Sequence, residues 1–99
     1  MLQISKELFV KELKEHINFI SKTHGVEQLK KLDEMYKYMD ENINVLNQIP
    51  LDYRKKFLNV ALAKTDEFIT YLRYKPNTNK LMQLLIKVKR NYKELLQKL

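Results

Sequence analysis

An all-α fold, built as an antiparallel up-down four-helix bundle, is what this 99-residue sequence predicts. Three observations predict it. Apolar residues recur at three- and four-residue steps in four successive segments, the period of a helix with one buried face. Glycine occurs once and proline twice, and all three stand between those segments. That leaves little of the turn chemistry a β fold needs. The hydrophobic fraction, 44%, is too high for a disordered chain, and the length suits one core. Residues 1–99 are therefore expected to form a single domain, with helices over 5–23, 26–48, 51–74 and 79–98. Connections of a few residues predict antiparallel neighbours.

Ser5 is the expected N-cap of the first helix, whose seam is Phe9, Leu13, Ile17 and Ile20 with His16 beside it. Glu7–Lys11 and Lys11–Glu15 place opposite charges four apart on its exposed side. Gly25 follows Thr23-His24 where a left-handed residue would stop the helix. The second segment carries the most regular spacing. Leu29, Leu32, Tyr36, Met39, Ile43 and Leu46 alternate steps of three and four, a seam facing partner helices. Asp33, Glu34, Asp40 and Glu41 alternate with lysines on its back and read as a solvated face. Pro50 suits the first position of the third helix. There Leu58, Ala61, Leu62, Phe68, Ile69 and Leu72 form one stripe, with Thr65 filling the gap. One continuous helix is expected over two shorter ones broken near Lys64. Pro76 and Asn77-Thr78-Asn79 supply turn and cap chemistry before the last helix, with seam Leu81, Leu85, Val88, Tyr92, Leu95 and Leu99.

The chemistry of catalysis is missing from this inventory. One glycine cannot build a phosphate-binding loop. There is no cysteine, hence neither a disulfide framework nor a thiolate nucleophile, which fits an intracellular protein. Ser5 and Ser21 have no spaced His/Asp context. Glu12 and His16, four apart, with His24 two turns on, form the only metal-like set, and zinc requires three or four ligands. Arg54, between Leu51 and Leu58, is the one cation at a seam position and is expected to snorkel outward. The expectation is a protein that is not an enzyme and holds no metal or cofactor. No apolar run approaches membrane-spanning length, and Met1 to Glu7 lacks an apolar signal core, so a cytoplasmic location is expected.

Charge is the one strong asymmetry. Residues 73–99 hold eight cations and one anion, Glu94, against eleven of each in the preceding 72 residues. The whole net charge of +7 therefore belongs to the last quarter of the chain. With its seam turned inward, the last helix spreads Lys80, Lys87, Lys89, Arg90, Lys93 and Lys98 over its flanks and back. Arg73 and Lys75, with Tyr71 and Tyr74, extend this strip at one end. Met82 and Ile86 fall one turn apart on the outer half and would form a small apolar ridge within it. The candidate partner-binding residues are thus Arg73, Lys75, Lys80, Met82, Ile86, Lys87, Lys89, Arg90 and Lys93.

Such a surface fits an acidic protein partner, with cations for charge and Ile86 and Met82 as apolar anchors, in a regulatory, inhibitor or immunity-type interaction protein. The alternative is nucleic acid, either DNA or RNA, with phosphates neutralised by Lys and Arg and bases stacked on Tyr71 or Tyr74. Docking on an anionic membrane surface, at about 1 kcal/mol per well-placed cation, ranks third. A homodimer contact through Met82 and Ile86 is a further option, and a merely solvated face is the bland one.

In size, absence of cysteine, and a basic bundle with a long third helix, the chain resembles the class II bacteriocin immunity proteins. That resemblance implies a cytoplasmic protein that protects a producer cell at its membrane receptor. Separately, Leu46-Asn47-Gln48-Ile49-Pro50-Leu51, Ile69-Thr70-Tyr71-Leu72-Arg73, and then Leu81, Leu84, Val88, Tyr92-Lys93 and Leu95-Leu96 resemble the N-terminal domain of transcription elongation factor S-II. The chain lacks that family's glycine before the Leu-Arg step and carries Tyr92 where the family has tryptophan. Neither resemblance is adopted as the chain's family.

Overall fold

The computed structural model describes residues 4–98, and every regular element among them is helical. Met1, Leu2, Gln3 and Leu99, including the last seam position expected for the C-terminal helix, lie outside the described residues. Five helices pack together: α1 (Lys6–Lys22), α2 (Val26–Glu41), α3 (Ile43–Leu46), α4 (Leu51–Leu72) and α5 (Asn79–Gln97).

Helix boundaries follow local chemistry. The Ser5 hydroxyl accepts from the Leu8 amide at 3.2 Å and caps α1 as expected. At the other end Thr23 turns extended and its hydroxyl donates to the Phe19 carbonyl at 2.7 Å. Gly25 has the expected positive φ of 74°, but it serves as the N-cap of α2 and its ψ of −146° lies outside the left-handed helical well. Pro50 likewise takes the N-cap position of α4 instead of its first helical position. Thr65 is fully buried; its hydroxyl donates to the Ala61 carbonyl at 2.7 Å, and α4 runs unbroken through it.

The helix expected over 26–48 is corrected to two pieces. At Asn42 the backbone leaves the helical region (φ −117°, ψ 37°), and its side-chain amide donates to the Tyr38 carbonyl at 2.8 Å. An asparagine that bonds the preceding turn in this way competes with helix continuation. The four-residue α3 starts afresh from the Asn42 carbonyl, which accepts from the Val45 and Leu46 amides. The break lets Val45, Leu46 and Ile49 all enter the core.

That core is one continuous cluster drawn from all five helices, including Phe9, Leu13, Leu32, Met35, Met39, Leu58, Ala61, Leu85 and Tyr92. The pair α1 and α2 is antiparallel. Phe9 near the start of α1 stacks on Tyr38 near the end of α2, and buried Gln28 at the start of α2 donates to the Ile20 carbonyl near the end of α1, at 2.9 Å. The pair α4 and α5 is antiparallel too and packs most extensively. These two hairpins meet with α1 against α4 and α2 against α5. The Tyr92 hydroxyl donates to the Leu32 carbonyl, joining the hairpins inside the core. Where α1 meets α4, Lys6 and Val10 lie near Pro50 and Tyr53, while Asn18 and Ser21 lie near Lys56 and Phe57. Those two helices therefore advance in the same direction.

Candidate functional site

The hydrophobic seam of α5 sets what its other faces display. Leu85, Val88, Tyr92 and Leu95 are buried, so residues between them are turned out by helical geometry. Lys80, Lys87, Arg90 and Lys93 are exposed and make no ion pair among the described residues. Arg73 is exposed at the end of α4, and Lys75 sits over the Tyr71 ring with its ammonium 5.0 Å from the centroid. Tyr74, between them, is 86% exposed.

Two of the expected residues take other roles. Met82 does not form an exposed ridge with Ile86. It is partly buried against the core, where its flexible side chain fills space at the flank. Lys89 is not a free cation. Its ammonium lies 2.6 Å from the Asp66 carboxylate, a pair across α4 and α5 with both side chains partly exposed. A pair so placed contributes well under about 1 kcal/mol, but it cancels one charge of the strip.

Leu84, which the spacing alone did not single out, is 53% exposed; Ile86 is 46% exposed. The signal was available. Leu84 stands four after Lys80 and three before Lys87, so those three share one flank of α5. Ile86, Arg90 and Lys93 share the other flank by the same spacing. Leu84 thus stands between two cations and Ile86 one turn before two more, and none of the four is ion-paired among the described residues. An isolated exposed leucine means little, whereas two on a helix this basic make a surface of mixed character.

The metal-like set does not assemble. Among the described residues no group of three or more His, Asp or Glu side chains is placed to hold a metal ion. His16 instead packs beside Tyr38, ring centroids 5.8 Å apart, with its Nδ1 buried and without a hydrogen-bond partner among the described residues. Burial first, then the Lys31 ammonium, hold the imidazole below its ordinary value. The Tyr38 phenol is pushed well above its own by burial and by the Glu12 carboxylate. Arg54 does not reach free solvent throughout: its Nε is buried and has no partner among the described residues, while Nη1 donates to Asn47 Oδ1 at 3.4 Å. Among the described residues no helix is long and apolar enough to cross a membrane.

No known protein family, curated protein or solved structure matches the chain. The functional reading therefore rests on the surface chemistry.

Proposed function

We propose that this chain is a small, non-enzymatic cytoplasmic protein that binds an acidic partner protein through α5, in a regulatory, inhibitor or immunity-type role. Its frame is read as an up-down four-helix bundle of two antiparallel hairpins joined side by side, in which α2 and α3 together fill one of the four positions. A single observation carries the binding reading: Leu84 and Ile86 are exposed on the two flanks of α5 among Lys80, Lys87, Arg90 and Lys93, none of them ion-paired among the described residues. Phosphate contact alone has no use for exposed aliphatic side chains. A protein interface does, because an aliphatic side chain desolvated beside cations supplies affinity while the charges supply orientation. Arg73 and Lys75 extend the cationic rim past the end of α5.

The test is affinity enrichment with the full chain, followed by charge reversal of Lys87, Arg90 and Lys93 to Glu. The expected result is loss of the enriched acidic protein with helix content unchanged by circular dichroism. Leu84→Asp and Ile86→Asp should each weaken capture at least tenfold. Retention of the same protein by the triple variant would overturn the reading.

One observation favours a nucleic-acid reading: Tyr74, almost wholly exposed, stands between Arg73 and Lys75, an arrangement suited to stacking a base between phosphate contacts. About four phosphate contacts on duplex DNA would give a log-affinity against log-salt slope near −3.6. Titration with DNA and RNA at two salt concentrations decides it. Absence of binding at low salt removes this alternative.

A further inference from the structure

A second surface lies on the far side of α4 from α5, in the seam where α1 and α4 run side by side. Two grooves of ≈ 370 and ≈ 300 Å³ open there, and they share Lys14 and Tyr53, so they form one furrow along the helix pair. Its floor is apolar: Val10 and Ile17 from α1, Ile49, and Tyr53 and Phe57 from α4. Tyr53 is 51% exposed in the middle of it. Among the described residues that line it, its rim carries Lys6, Lys14 and Lys56 against one acid, Glu7. None of these three lysines makes an ion pair among the described residues. From Lys6 to Ser21 the furrow follows about 22 Å of helix, the length of about four helical turns.

We propose that this furrow docks an acidic amphipathic helix of a partner protein. Helix is favoured over extended peptide because both walls are helices with their backbone groups bonded internally. A strand laid there would gain no main-chain hydrogen bonds. The knobs along the wall, Val10, Lys14, Ile17 and Ser21, repeat at steps of four, three and four, the spacing into which another helix's side chains interdigitate. Charge selects the partner. A second copy of this chain would bring lysine rims together, whereas a helix with glutamates flanking an aliphatic stripe meets the lysines with carboxylates while its stripe covers Tyr53. The inference does not depend on the α5 surface, since no furrow residue lies on that helix.

The experiment uses the full chain, labelled with ¹⁵N, and a synthetic helical peptide with leucines on one stripe and glutamates elsewhere. Controls are the same composition with the stripe scrambled, and the same stripe with lysine for glutamate. Saturable shifts centred on Val10, Ile17 and Tyr53 are expected with the first peptide alone. Lys14→Glu with Lys56→Glu should weaken that binding at least tenfold, with the melting temperature checked in parallel. Reversal of Lys87, Arg90 and Lys93 should change it less than twofold. Shifts confined to α5, equal binding of the scrambled peptide, absence of shifts, or displacement of the peptide by an oligonucleotide that shifts the same residues would each overturn the proposal. Should the double variant unfold, Tyr53→Ala serves instead, with the same tenfold loss expected and the same outcomes against it.

Discussion

At the scale of single residues, His16 has the clearest consequence. Its imidazole is held below the ordinary value of 6.5 by burial and by Lys31; Glu34, Glu12 and Glu15 pull the other way but do not prevail. A base whose pKa is lower folded than unfolded binds its proton more readily in the unfolded chain. The stability it contributes is therefore fully present above the unfolded value and is lost as pH falls below it toward the folded value. Thermal melts of the wild type and of His16→Gln, run from about pH 7 to about pH 5, should show the wild type losing more. A difference between the two that stays constant over that range would show that His16 is not responsible. The buried Nδ1 accords with this, since the described residues offer the charged ring nothing to donate to at that atom.

At the scale of elements, the turn between α1 and α2 rests on Gly25. No described residue lies within 4 Å of where a Cβ would stand, so substitution meets backbone strain and no clash with them. With φ 74° and ψ −146° the residue occupies a region populated almost only by glycine, and an L residue there costs about 1–3 kcal/mol. Asparagine, which relieves strain in the left-handed helical well, should be no better than alanine here. Urea denaturation of Gly25→Ala and Gly25→Asn should give equal losses. A clear recovery by asparagine would place the turn in the other well.

The same scale shows what periodicity reveals and what it hides. The seams of α1, α4 and α5 were legible because burial on one side of a helix imposes steps of three and four, and Phe9, Leu58 and Leu85 fall where they should. The stop at Asn42 was not, because a break that keeps Ile43 and Leu46 in phase leaves the pattern intact. The burial of Gln28 is hidden for the opposite reason: a polar residue looks solvated until its carbonyl partner, Ile20 on another helix, is known. On α5 the wheel placed the charges correctly but could not see Asp66 facing Lys89 or the core accepting Met82, since both depend on where α4 lies. The furrow beside Tyr53 was invisible for the same cause. It belongs to a pair of helices that are not consecutive in the chain.

At the scale of the molecule, the two hairpins bear different electrical loads. Salt links within α2 and α4 join residues three or four apart, whereas Lys89–Asp66 alone spans two helices among the described residues. Little electrostatic attraction therefore holds the hairpins to each other, and the core does so instead. Tyr92, fully buried, is the polar tie within that core, its phenol bonded to a carbonyl 60 residues away on α2. That separation has a kinetic meaning. Each hairpin closes over a short stretch of chain, but the Tyr92 bond requires both to be formed and docked, so it is absent until late on the folding path. Tyr92→Phe, expected to remove about 1 kcal/mol, should leave the refolding limb of a chevron nearly unmoved and raise the unfolding rate about fivefold. Slower refolding by a similar factor would instead mean that the hairpins dock before they are complete. In ordinary conditions the bond works as a latch on the lifetime of the native state, setting how long the two halves stay together once they have met.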